Sequence, residues 1–126
     1  MLRVYVCGPY TPQMPSAIEV LDNMRNGIRQ CVRLVIHGYA PYCPWLDHHY
    51  FLQLFNGEKI SCEQIQQVSM CWLEASDAVL VLPNYDHSLG THAEIHRANE
   101  KEIPVFYNEE DLLRYNRKEA GVAERT

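Results

Sequence analysis

The run Ala78-Val79-Leu80-Val81-Leu82 is apolar at every position and of strand length, with Pro83 following it. A strand-length run without a polar face predicts a central parallel strand covered on both sides by helices. Upstream of it, Ser61 with Gln64 three residues later forms a capping-box pattern, opening a helix to about Ala75. Downstream, Asn84–Leu89 reads as a loop, and a helix begins near Ser88–Gly90 and continues to about Lys101. Further out, Leu2–Cys7 is a β-rich strand ended by Gly8-Pro9, and Tyr39–Cys43 is a short strand bounded by Pro41 and Pro44. Between them, Ile18, Leu21, Met24, Ile28, Cys31, Val32, Val35 and Ile36 recur at helical spacing from Ser16 to near Gly38. Ile103–Tyr107 is a last strand, and Asn108 followed by Glu109-Glu110-Asp111 caps a last helix, with a polar tail fraying after Tyr115. The alternation predicts an α/β single domain over residues 1–126. It is a Rossmann-like or flavodoxin-like parallel sheet of four or five strands with helices on both faces.

Composition sets the outer bounds. A chain of 126 residues is one domain's worth. With 47% hydrophobic residues and a net charge of −5, it has neither a disordered composition nor the basic run that would grip nucleic acid polymers or an anionic membrane. No apolar stretch reaches membrane-spanning length, and the start of the chain lacks the pattern of a secretion signal. Five cysteines, odd in number and without a CxxC pair, point to reduced thiols rather than disulfides or structural zinc. The expectation is a cytoplasmic protein.

Ligands of parallel sheets bind beyond the carboxyl ends of the strands, where the strand order reverses. That rule selects Cys7–Thr11 and Leu82–Glu94. Within the second segment, Ser88-Leu89-Gly90-Thr91-His92-Ala93-Glu94 places two hydroxyls and a glycine where a helix begins, with a carboxylate one turn inside. Helix-start N–H groups with Ser88 and Thr91 make a phosphate cradle, and Glu94 shares the helix face of Thr91. A carboxylate so placed suits attack on, or stabilisation of, a cationic sugar carbon. An ordinary N-cap at Ser88 and a solvated carboxylate at Glu94 satisfy the same spacing.

Three segments carry a resemblance: Val4-Tyr5-Val6-Cys7-Gly8-Pro9-Tyr10, Trp72 through Pro83, and Ser88-x-Gly90-Thr91-x-x-Glu94. Over about residues 2–107 the chain resembles the nucleoside 2-deoxyribosyltransferase superfamily, which includes nucleoside 5′-monophosphate N-glycosidases. The resemblance implies that Glu94 is the nucleophile on C1′ and that Tyr5 holds this carboxylate in place. It further implies that Gly8, Pro9 and Tyr10 line the nucleotide pocket and that Ser88, Gly90 and Thr91 receive the substrate's 5′ end. Relatives that act on free nucleosides tend to carry Asp at the position of Ser88, whereas those acting on 5′-monophosphates tend to carry Ser. An Asp would repel a phosphate dianion to which a serine can donate. The implied substrate is therefore a small-molecule nucleotide, the implied assembly a homodimer or higher homo-oligomer, and neither metal nor organic cofactor is required.

One position departs from the pattern. The family often has an Asp three residues before the position of Trp72, contacting the sugar hydroxyl and helping protonate the leaving base; here it is Ser69. General acid assistance amounts to ~10²–10⁴-fold. Either Asp47, His48 or His92 supplies it, or the chain is a nucleotide-binding or sensor module with weak catalysis. Asp77, at a helix-to-strand junction, reads as a cap or turn residue.

Other candidate chemistry is weaker. Asp47-His48-His49 matches the DHH signature of metal phosphoesterases, but those enzymes are longer and need further aspartates, and adjacent histidines cannot face one metal from a regular element. His92 and His96, with His87 nearby, form an HxxxH without a third ligand. Cys7 reads as a small buried hydrophobe. The aromatic segment Trp45–Phe55, containing Tyr50 and Phe51, is either a lid over a base or a satellite core.

Overall fold

In a computed structural model, residues 1–10 and 16–116 are described. Thr11 and the tail from residue 117 onward, both included in the sequence reading, lie outside them. The elements run β1 (Arg3–Cys7), α1 (Ala17–Ile36), β2 (Ala40–Tyr42), a 3-10 turn over Pro44–Asp47 leading into the short α2 (His48–Leu52), α3 (Cys62–Glu74), β3 (Ala78–Val81), α4 (Leu89–Glu100) and β4 (Val105–Phe106). A last helical segment, α5, occupies 109–116.

The four strands form one parallel sheet in the order β2-β1-β3-β4. Val4 pairs with Ala78 and Cys7 with Val81 along the central pair. All four residues of β3 are buried, as its unbroken apolar run requires. Strand alternation divides the core in two. On one side Val4, Val6, Ala78 and Leu80 pack with Cys31 and Leu34 of α1, Trp45, and Leu112 of α5. On the other, Tyr5, Cys7, Val79 and Val81 pack with Leu73 of α3 and Ala98 of α4.

Local signals set the helix ends. The Ser61 side chain accepts from the Gln64 amide at 3.1 Å while the Gln64 side chain accepts from the Ser61 amide at 2.8 Å, a complete capping box. At the end of α1, Gly38 sits at φ +88, its N–H bonds Val35 O, and the Tyr39 N–H bonds Leu34 O. This is a Schellman closure that only glycine enters without strain. Within α1, a Cβ at Gly27 would collide with the indole of Trp45, so this glycine lets the ring lie flat against the helix backbone.

Three expectations change. The buried face of α1 is narrower than the apolar periodicity: Gly27, Cys31 and Leu34 are buried, whereas Ile18, Leu21, Val35 and Ile36 are exposed. Eight apolar positions span more of the helix circumference than one sheet face covers. The strand expected over Ile103–Tyr107 pairs only at Val105 and Phe106. Pro104 has no N–H to give the ladder and Glu102 is at φ +59. Asp77 is not a helix cap, since Ala75 closes α3. Its carboxylate accepts from the Arg3 amide at 2.7 Å and pairs with the Arg3 side chain, tying the starts of β3 and β1 together.

Candidate active site

The strand order reverses between β1 and β3, and at the carboxyl ends of these strands lies a cavity of about 620 Å³. That volume is in the range of small-molecule sites. Cys7 lines it from the end of β1 and Gly8 from just beyond, Ser69 and Met70 from α3, Ser88 and Gly90 from the start of α4, and Trp45, Asp47 and Phe51 from the segment after β2. Close approach of the strand ends demands Gly8, because a Cβ there would lie 2.9 Å from Leu82 Cβ.

Tyr5 and Glu94 meet on the cavity wall, one from β1 and the other one turn into α4. Tyr5 Oη and Glu94 Oε2 are both buried, and neither has a hydrogen-bond partner. Such orphaned polar atoms are uncommon and costly, which marks a place where something other than stability is served. Burial pushes the Glu94 carboxyl up to about 7, and the nearby Tyr5 hydroxyl offsets part of that rise. Burial, reinforced by the Glu94 charge, raises the Tyr5 hydroxyl far above its ordinary value, so it stays a neutral donor. A Cβ at Gly90 would be 3.9 Å from Glu94 Oε1, in ordinary contact.

Ser88 is the N-cap of α4: its Oγ accepts from the Thr91 amide at 3.3 Å and shares a 2.8 Å hydrogen bond with Thr91 Oγ1. Ser88 and Gly90 line the cavity, with His87 beside them. Thr91 does not line it; its side chain, 1% exposed, lies beneath Ser88 and orients that hydroxyl. Pro9 likewise stands behind the wall. Its carbonyl accepts from Trp45 Nε1 at 3.2 Å and so fixes the indole that does face the cavity. Tyr10 lines the cavity, its hydroxyl 3.3 Å from His48 Nδ1.

Ser69, the departure noted in the sequence, is buried and donates through Oγ to Asp47 Oδ2 at 3.4 Å. Tyr42 donates to Asp47 Oδ1, also at 3.4 Å. The Tyr42 ring is stacked between Tyr5 and Trp72, with centroids 5.3 and 6.0 Å apart. Burial raises the Asp47 carboxyl, against the lowering effect of these two hydroxyls. In turn, burial and the Asp47 charge push Tyr42 up to about 12. The Tyr42–Asp47–Ser69 grouping has no sequence signature, because Asp47 and Ser69 are 22 positions apart on different elements.

The remaining candidates are placed elsewhere. His92 Nε2 bonds Asp86 O at 3.0 Å and His96 pairs with Glu100 at 2.6 Å, both on the outer side of α4. No three His, Cys, Asp or Glu side chains are grouped to hold a metal ion among the described residues. Burial pushes the Cys7 thiol well up, so it is protonated. Trp45 is core and cavity wall at once and Phe51 is wall, while Tyr50 and Phe55 are exposed. No helix among the described residues is long and apolar enough to cross a membrane.

Residues 2–108 match the family described as "Domain of unknown function (DUF7768)". No curated protein matches the chain. Among solved structures the fold is similar to the 2-deoxyribosyltransferase of the psychrotolerant bacterium Bacillus psychrosaccharolyticus, at 16% identity and a TM-score of 0.54, covering 82% of this chain and 69% of that one. It is also similar to a conserved protein from Enterococcus faecalis V583, at 23% identity and a TM-score of 0.51, covering 83% of this chain and 61% of that one. What is shared at these identities is the α/β fold with its four parallel strands, a distant structural relationship.

Proposed function

We propose that this chain, which belongs to the DUF7768 family, cleaves the N-glycosidic bond of a nucleoside 5′-monophosphate, with Glu94 as nucleophile on C1′. The observation that carries the reading is the pairing of two buried, unpartnered oxygens, Glu94 Oε2 and Tyr5 Oη, on the wall of a nucleotide-sized cavity. In the first step a Glu94 oxygen bonds C1′ as the base departs with the bond's electron pair. In the second, water or another base displaces Glu94 from C1′, with net retention. Tyr5 stands beside the carboxylate as a neutral hydroxyl, free to donate to it once substrate is bound and so fix its direction of attack. Because burial lifts Glu94 to about 7, the ionised nucleophile accumulates only as pH rises through neutrality, and turnover rises with it.

The 5′ end is received at the start of α4. No lysine or arginine lines the cavity among the described residues. A phosphate there is met by the helix-start N–H groups, the Ser88 hydroxyl and the His87 ring. The fold's likeness to a 2-deoxyribosyltransferase supports glycosyl chemistry.

The test is chromatographic detection of free base after incubation with ribo- and deoxyribonucleoside 5′-monophosphates. Base release that is lost in Glu94→Ala supports the proposal. Tight nucleotide binding without release, unchanged in Glu94→Ala, identifies a binding or sensor module instead, the reading favoured by Ser69 alone. Release of inorganic phosphate in place of base would contradict both.

A further inference from the structure

The cavity holds a second buried carboxylate, for which nucleophilic attack by Glu94 has no use. Asp47 is 7% exposed and lines the cavity, and both of its oxygens are held by hydroxyls, Oδ1 by Tyr42 and Oδ2 by Ser69. Its position follows from the strand order. With β2 on one side of β1 and β3 on the other, the connection after β2 builds the end of the cavity away from the loop that leads into α4. A nucleotide gripped by its phosphate at the start of α4, with C1′ at Glu94, leaves its base at the β2 end. That end is walled by Trp45, Phe51 and Tyr10, flat faces suited to a heteroaromatic ring. Asp47 is the carboxyl group among them.

Resting on the glycosidic reading above, we propose that Asp47 is the acid that protonates the departing base, with Ser69 and Tyr42 as positioning residues that aim it. Glu94 Oε bonds C1′, the C1′–N electron pair goes to the base nitrogen, and the Asp47 O–H proton goes to the base. Water then bonds C1′ through oxygen and gives its proton to the Asp47 carboxylate, while Glu94 leaves as a carboxylate. Two carboxyl groups in one cleft, one attacking and one passing the proton, are the usual arrangement for retaining glycoside cleavage. Burial raises the Asp47 carboxyl, the direction a proton donor needs, while its two hydroxyl partners oppose part of that rise and fix its orientation.

The experiment compares leaving groups. Guanosine 5′-monophosphate, in ribo and deoxy forms, needs a proton for its base to depart; the 7-methylated counterpart carries a cationic base that leaves neutral without one. Asp47→Asn is expected to lower kcat on the unmodified substrate by ~10²–10⁴-fold and to leave the 7-methylated substrate nearly unaffected. Ser69→Ala, which keeps Asp47, is expected to show a smaller loss with the same discrimination, and it serves if Asp47→Asn does not fold. Equal losses on both substrates, no loss on either, or a rise in KM alone overturns the assignment of Asp47. If base release is abolished by Glu94→Ala but indifferent to Asp47→Asn, the glycosidic reading stands and only this inference falls. If the wild-type chain releases no base from either substrate, both fall.

Discussion

The two faces of β1 differ more than their sequence alternation suggests. Val4 and Val6 enter a core made wholly of apolar and thiol side chains apart from the Tyr39 hydroxyl and the Trp45 N–H, both of which have partners. Tyr5 and Cys7 enter a core that borders Ser69, Thr91 and Glu94 and leaves two polar atoms unsatisfied. A strand that only had to hold the sheet would place an apolar side chain at Tyr5. The contrast teaches that the α1 side is packed with its polar groups partnered, whereas the α3–α4 side carries a standing cost at the site.

Substitutions on the two faces should therefore behave oppositely. On the α1 side, Leu34→Ala removes a fully buried side chain, and its chemical denaturation midpoint should correspond to a loss of about 2–5 kcal/mol, with activity per folded molecule retained. On the other side, Glu94→Gln should stabilise. The folded-state pKa of Glu94 is raised, so the native state binds more protons than the unfolded chain between pH 4.5 and about 7. Its ionisation penalty is absent below about 4.5, grows across that window, and is complete above it. Thermal melts of Glu94→Gln against wild type should coincide near pH 4 and diverge by about 3 kcal/mol in favour of the variant at pH 8. A constant offset at all pH values would mean that the carboxyl is not desolvated.

Gly27→Ala links the two regions. The added methyl strikes the Trp45 indole, which is both core and cavity wall. A loss of about 1–3 kcal/mol in urea unfolding is expected, with a fall in ligand affinity that Leu34→Ala does not show. The smallest effect belongs to Tyr5→Phe. Removing a buried hydroxyl that has no partner should leave stability unchanged or raise it by about 1 kcal/mol, while base release falls. Destabilisation beyond that would show that the hydroxyl is satisfied after all.

What could be read from sequence was local. The all-apolar β3, the Ser61–Gln64 box and the Ser88 cap are signals contained within a few residues, and the structure forms each of them. Glu94 and Tyr5 stood out through the motif and the resemblance, because strand-end and helix-start positions converge in any parallel sheet. What stayed hidden depends on contacts between distant elements. Nothing around Gly27 announces Trp45, and nothing around Ser69 announces Asp47; only the packed chain shows that the serine's hydroxyl serves a carboxylate from another segment. The tie from Asp77 to Arg3 stayed hidden for the same reason, because the two stand 74 positions apart. The width of the buried face of α1 depended on how much of the helix the sheet covers, which periodicity does not encode.

The central claim is a covalent bond between Glu94 and a sugar carbon, and trapping tests it most directly. A 2-fluorinated nucleoside 5′-monophosphate, whose electron-poor sugar slows the second step, should add the mass of the fluorosugar phosphate to the intact chain. Peptide mapping should place that mass on the segment holding Glu94, and Glu94→Gln should abolish it. Base release from the same compound without any adduct, or an adduct on a different side chain, would contradict the account.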